Sequence, residues 1–156
     1  PSRVSRLLVV DIVPKSYPVH HDHILDGLMA VPISKLTSRT EADRILMEHI
    51  DEPDVRQFLL KNLTRTPDGR FVCKINLPAL DKHIEEIGAG MVYPGRYEGP
   101  TLFVNGTRSN YFKSGDEKFI HPIFPKAKIS FLDTSHWVQA EKPMEFAQLA
   151  MEFLTQ

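Results

Sequence analysis

Four consecutive apolar residues, Leu7-Leu8-Val9-Val10, stop abruptly at Asp11. A short apolar run without polar alternation predicts a strand buried on both faces, as in parallel sheets. Pro14 prevents a helix from following it directly. Thr101-Leu102-Phe103-Val104, closed by Asn105-Gly106, and Ala127 to Leu132, closed by Asp133-Thr134, repeat the pattern. Three buried strands separated by mostly helical sequence predict an α/β fold with a parallel sheet.

The helical stretches carry their own start signals. Ser38-Arg39-Thr40-Glu41 reads as a capping box, followed by Ala42, Ile45, Leu46 and Ile50 on one face. Pro53 suits the first turn of a second helix, predicted to bury Val55, Phe58 and Leu59. Pro78 opens a third, whose Leu77, Leu80, Ile84 and Ile87 recur at helical spacing up to Gly88. Pro143 opens the last, with a core-facing stripe of Phe146, Leu149, Ala150, Phe153 and Leu154. Thr66-Pro67-Asp68-Gly69 predicts the turn of a hairpin that contains Cys73. Residues 15–95 therefore read as a mostly helical insertion, longer than one crossover helix requires. Its place above the carboxyl edge of the sheet suits a cap or lid, over a core built from residues 1–14 and 96–156.

Composition narrows the function. The 156 residues are 42% hydrophobic, enough for a core, and Lys+Arg 19 against Asp+Glu 20 leave a net charge of -1. That balance lacks the basic surplus of a nucleic-acid or anionic-membrane binder. No apolar run reaches the roughly 18 residues of a membrane-spanning helix. Cys73 is the single cysteine, which excludes an internal disulfide and a zinc–thiolate cluster and favours a thiol-reducing compartment. The chain opens at Pro1 without a methionine and soon enters a buried-strand pattern, so it is expected to continue a longer polypeptide.

Asp11 closes the first strand and His136 follows the third, in Asp133-Thr134-Ser135-His136-Trp137. Parallel strands end on one edge, so a carboxylate and an imidazole distant in sequence can meet there. The carboxylate would then fix the tautomer of the ring and stabilise its protonated form. Taken by itself, a strand-end aspartate is more often a turn or helix-capping residue, and a lone histidine more often structural.

Asp11-Ile12-Val13-Pro14, Val55 to Leu63, Arg70-Phe71 leading to Ile75-Asn76-Leu77, and His136 to Pro143 occur in one order at consistent distances. Together they resemble the carboxyl-terminal half of α/β-hydrolases of the domain-containing-protein-eleven type, a group that also looks related to small bacterial esterases and yeast ethanol acetyltransferases. The resemblance spans essentially the whole chain. It implies the carboxyl-terminal part of an α/β-hydrolase parallel sheet with an inserted helical cap, and a serine–acid–histidine triad. By resemblance His136 is the general base and Asp11 the acid, with Asp116 and Asp133 as alternatives. In many α/β-hydrolases the acid follows the strand that corresponds to Thr101–Val104; the aligned residue here is Ser109, which cannot be an anion. A Gly-x-Ser-x-Gly elbow is absent from the 156 residues. Ser114 lacks the preceding glycine and follows no buried strand. The nucleophile and oxyanion segment are thus expected before Pro1, and this chain alone is expected to be inactive.

The resemblance further implies small acyl ester or thioester substrates. Trp137 and Tyr17 suit an acyl pocket and core or lid packing alike, and Arg108 suits an attractor of an acidic substrate group, but more often such a residue is a solvated loop arginine. Hydrolysis makes an esterase; an alcohol acceptor would make an acyltransferase of the same fold. A non-catalytic binding module that docks on the other half is the reading from a different class. No cofactor or metal is needed for this chemistry. His20-His21-Asp22-His23 concentrates ligand-type residues, yet its spacing offers at most two imidazoles, and Asp22 suits a helix start. The sequons at Asn62 and Asn105 are expected to be unused, the second because it abuts a buried strand. Eukaryotic members of the resembled family are often mitochondrial, which is the expectation here, with a cytoplasmic location as the alternative.

Overall fold

The computed structural model describes residues 2–18, 22–90 and 92–156. In chain order the elements are β1 (Leu7–Val10), α1 (Asp22–Ala30), a 3-10 turn (Ile33–Lys35), α2 (Arg39–Leu46), α3 (Pro53–Leu60), β2 (Leu63–Arg65), β3 (Phe71–Cys73), α4 (Leu77–Gly88), β4 (Thr101–Gly106), α5 (Glu117–Ile120), β5 (Ala127–Leu132), α6 (Val138–Glu141) and α7 (Pro143–Leu154). They divide into two compact units, Pro1–Tyr17 with Gly90–Gln156, and Pro18–Ala89.

The first unit is built on a parallel sheet of order β1-β4-β5. Leu7 pairs with Thr101 and Val10 with Val104, while Thr101 pairs with Ala127 and Gly106 with Leu132. Central β4 is buried along its whole length. Its alternation sends Phe103 to one face, against Val13, Phe112 and Ile120, and Leu102 with Val104 to the other, against Val138 and Phe153. The α/β fold with parallel strands is therefore present as the apolar runs predict. Pro143 starts α7 in its first turn, and Phe153 is the buried residue of its stripe. Leu154, by contrast, is 48% exposed.

The second unit packs α1 to α4 and the β2–β3 hairpin around Leu28, Val31, Leu36, Ala42, Leu46, Ile50, Leu60, Leu63, Phe71 and Leu77. Ser38 Oγ accepts the Glu41 N–H at 3.1 Å, the first arm of the capping box. The return arm lands one residue early: Glu41 Oε2 accepts from Thr37 N at 2.9 Å and Thr37 Oγ1 at 2.8 Å. These two bonds hold the Glu41 carboxyl below its ordinary pKa. Helix α3 differs from the expected stripe. Phe58 is 50% exposed, Val55 and Leu59 are half-buried, and the inward positions are Arg56 and Leu60. The guanidinium is tolerated inside because Asp43 Oδ1 (3.1 Å) and the carbonyls of Ile50 (2.9 Å) and Asp51 (2.8 Å) all accept from it. Gly69, at φ +84°, supplies the left-handed turn residue of the hairpin.

Among the described residues no helix is long and apolar enough to cross a membrane.

Candidate active site

Asp11 ends β1 with φ +50°, a left-handed conformation that aspartate tolerates better than most side chains. Its own N–H still donates to the Val104 carbonyl at 2.9 Å, so the turn begins with the ladder intact. The side chain is 5% exposed and surrounded by donors. Oδ1 accepts the Gly106 N–H at 3.1 Å, and Oδ2 accepts the Ser109 hydroxyl at 2.8 Å. His136, in the loop between β5 and α6, brings Nδ1 to 3.0 Å from the same Oδ2. The two residues singled out at strand ends therefore meet on one edge of the sheet. The alternatives do not reach the histidine in this way: Asp116 pairs with Lys15 and accepts the Lys113 N–H, and Asp133 pairs with Arg108.

Ser109 is the residue that sequence reasoning passed over. It is buried, and its Oγ lies 2.9 Å from His136 Nδ1 and accepts the Tyr111 N–H at 3.1 Å. One assignment satisfies every contact. The hydroxyl donates to Asp11 and accepts from Tyr111 N–H and from Nδ1–H, which it shares with Asp11 as a three-centre bond. All the capacity of the hydroxyl is then used, and the ring is fixed as the Nδ1–H tautomer. Nε2, across the ring, is left facing away from the carboxylate. Ser109 cannot be an anion, but its alignment with the acid position of the resembled family is the signal in the sequence that points to it.

An aromatic edge supports the ring. Tyr111 meets His136 edge to face with centroids 4.7 Å apart, and Tyr17 lies 5.2 Å from Tyr111. The Tyr17 hydroxyl is occupied by backbone: it accepts the Val13 N–H at 2.7 Å and lies 3.1 and 3.0 Å from the carbonyls of Val13 and Tyr111. Burial pushes its pKa up to about 12, against a smaller opposing effect of the Val13 bond. Trp137 is half-buried at the N-cap of α6, where its carbonyl accepts from Ala140 and Glu141. Arg108 is shared between two carboxylates, pairing with Asp133 and, at 3.0 Å, with Glu141 Oε2. Glu141 Oε1 in turn accepts the Ser135 N–H at 2.9 Å and the Ser135 hydroxyl. These bonds from Ser135, with Arg108 beside them, hold the Glu141 carboxyl below its ordinary pKa.

The remaining sequence signals fall elsewhere. His20 and His21 lie outside the described residues, and His23 is exposed in α1. Among the described residues no group of three or more His, Cys, Asp or Glu side chains is placed to hold a metal ion. Asn105 is fully buried and Asn62 is half-buried, its amide donating to the Leu59 carbonyl at 3.1 Å. Cys73 is half-buried in β3.

The chain is similar along its length to proteins of one kind, although no protein-family model matches it. It is 37% identical over 161 residues to the sn-1-specific diacylglycerol lipase ABHD11 of Danio rerio, covering 99% of this chain and 50% of that protein. It is 33% identical over 143 residues to Esterase YbfF of Escherichia coli strain K12, covering 90% of this chain and 54% of that protein. A solved marine microorganism esterase superposes with a TM-score of 0.91 at 34% identity, over 96% of this chain and 60% of its own. The chain thus spans about half the length of the curated relatives it matches. It belongs to the α/β-hydrolases and corresponds to the carboxyl-terminal half of one.

Proposed function

We propose that this chain supplies the acid and the base of a serine hydrolase acting on short or medium acyl esters or thioesters, the nucleophilic serine being contributed by sequence outside it. The observation that carries the reading is the buried Asp11 carboxylate, 3.0 Å from His136 Nδ1. A ring held through Nδ1 offers Nε2 as the base, and the histidine side chain is 43% exposed, open to a reacting partner. The serine hydroxyl gives its proton to Nε2 as its oxygen bonds to the acyl carbon. Asp11 stabilises the imidazolium that forms, and Ser109 keeps both groups in register. The proton then passes to the departing alkoxide or thiolate, leaving an acyl-serine. Water completes an esterase cycle; an alcohol acceptor would make the enzyme an acyltransferase.

The fish relative is a diacylglycerol lipase, which supports the carboxylic ester as the bond attacked. We assign the helical insertion of residues 15–95 as the cap, a reading supported by the separate compact unit Pro18–Ala89 within it. We place the natural protein in mitochondria, which microscopy of the natural polypeptide would separate from a cytoplasmic location.

The test uses the natural polypeptide carrying these residues, with p-nitrophenyl acyl esters and a fluorophosphonate label. His136→Ala removes the base and Asp11→Asn presents an amide N–H to the ring; each is expected to lower turnover by about 10²- to 10⁴-fold with the fold retained. Full turnover in either variant rejects that residue's role. Absence of labelling in the natural polypeptide rejects the serine-hydrolase reading and favours a non-catalytic module.

A further inference from the structure

The ring of the base is held by Asp11, Ser109 and Tyr111, but the backbone that carries it lies outside the regular elements and needs its own anchor. His136 is exposed, and the chain between β5 and α6 has left the sheet before reaching it. The fixed point nearby is α6. Val138 is fully buried, packed with Leu102, Val104 and Phe153 on one face of the sheet. From the end of that helical turn the Glu141 side chain reaches back, and its Oε1 accepts both the N–H and the hydroxyl of Ser135, the residue before the base. The segment from Ser135 to Glu141 is thereby closed on itself with His136 inside. The other oxygen of Glu141, at 3.0 Å from Arg108, ties the closed loop to the segment after β4, which carries Ser109. Arg108 also holds Asp133, at the opposite foot of the loop, while its N–H donates to the Thr134 carbonyl at 3.0 Å.

We propose that Glu141 is a positioning residue for the base: it clamps the backbone of the His136 loop through Ser135, and Arg108 anchors the clamp to the strand end that carries Ser109. The inference rests on the reading of His136 as the base. It gives Arg108 a tethering task in place of attracting an acidic substrate group. The side-chain bonds of Glu141 go to Ser135 and Arg108 and not to the imidazole, so its effect is on the fraction of time Nε2 points at the nucleophile. That fraction enters kcat; binding of the acyl chain does not depend on it.

The experiment compares three variants of the natural polypeptide on a p-nitrophenyl acyl ester, with thermal unfolding alongside. Glu141→Ala is expected to lower kcat about 10- to 100-fold, with KM within about twofold of the parent. Glu141→Gln keeps an oxygen for Ser135 but turns an amide NH2 toward Arg108, and is expected to recover the part of the loss that the Ser135 arm carries, a partial rescue that a purely electrostatic role would not give. Ser135→Ala removes the hydroxyl arm alone, is mild enough to fold, and is expected to lower kcat a few-fold in the same direction. Parental kcat in Glu141→Ala, an equal loss in Glu141→Gln, or a loss confined to KM each overturns the clamp. If His136→Ala is itself fully active, the reading of the base has failed, and that result is distinct from any outcome at Glu141.

Discussion

Gly106 sets the separation of acid and base. Its N–H donates to Asp11 Oδ1 at 3.1 Å, and a Cβ built on it would collide with the carbonyl oxygens of Ser135 and Thr134, the backbone leading to His136. The need is for close approach, since neither colliding atom belongs to a flexible side chain. Gly106→Ala must therefore push the His136 loop away from the sheet or push β4 away from Asp11. We expect a cost of about 1–3 kcal/mol in denaturant unfolding. In the natural polypeptide we expect at least tenfold lower kcat. An alanine variant with parental stability and rate would show that the loop has slack. At this scale the sequence made Asp11 and His136 visible as polar residues that interrupt or follow apolar runs. Gly106 was not visible as a site residue, because what matters in it is the lack of one methyl, which leaves neither a charge nor a period to read; Ser109 was marked only by its alignment with the acid position of the resembled family.

Among the elements, those that bury a stripe or a whole strand were legible, and those made by context were not. All three parallel strands were marked by apolar runs, and α2, α3, α4 and α7 by a cap or a proline. The four-residue helices α5 and α6 have too few turns to carry a periodic signal and exist because the chain around them is held. Arg56 entered the core of its unit for a similar reason, with acceptors arriving from outside its own helix. The segment after β1 is held in the same way. Lys15 pairs with Asp116, and the Tyr17 phenol is locked to Val13 and Tyr111. This lock has a pH signature. Because burial raises the Tyr17 pKa from 10.0 to about 12, the folded state prefers the neutral phenol. Its contribution to stability is complete below about pH 10 and is lost as pH rises through about 12. Tyr17→Phe is expected to be less stable at neutral pH, by about 1–3 kcal/mol for the stranded backbone groups. The difference between parent and variant should then shrink across that alkaline window, measured as urea midpoints. A difference that stays constant above it would mean that the phenol is not the titrating lock.

The sheet as a whole carries an asymmetry that neither residue nor element explains. Central β4 has a strand on each side and is wholly buried, while each residue of β1 is only half-buried although its sequence is Leu-Leu-Val-Val. Natural edge strands are blunted by charge, proline or bulges, and β1 has none of these along its length. Its hydrogen bonds show which groups lie along the open side. The N–H groups of Leu7 and Asp11 donate to the carbonyls of Pro100 and Val104, so by the alternation of a parallel ladder those of Leu8 and Val10 point away from β4. The chain spans about half of the relatives it matches, and an apolar, one-sided strand is the place where the rest of such a sheet would join. We expect the Leu8 and Val10 amides to exchange with solvent quickly in the 156-residue chain and to gain at least about 100-fold protection in the natural polypeptide, while Val9, facing β4, is protected in both. Equal exchange at Leu8 and Val10 in the two would mean that no strand pairs on this edge in the natural polypeptide.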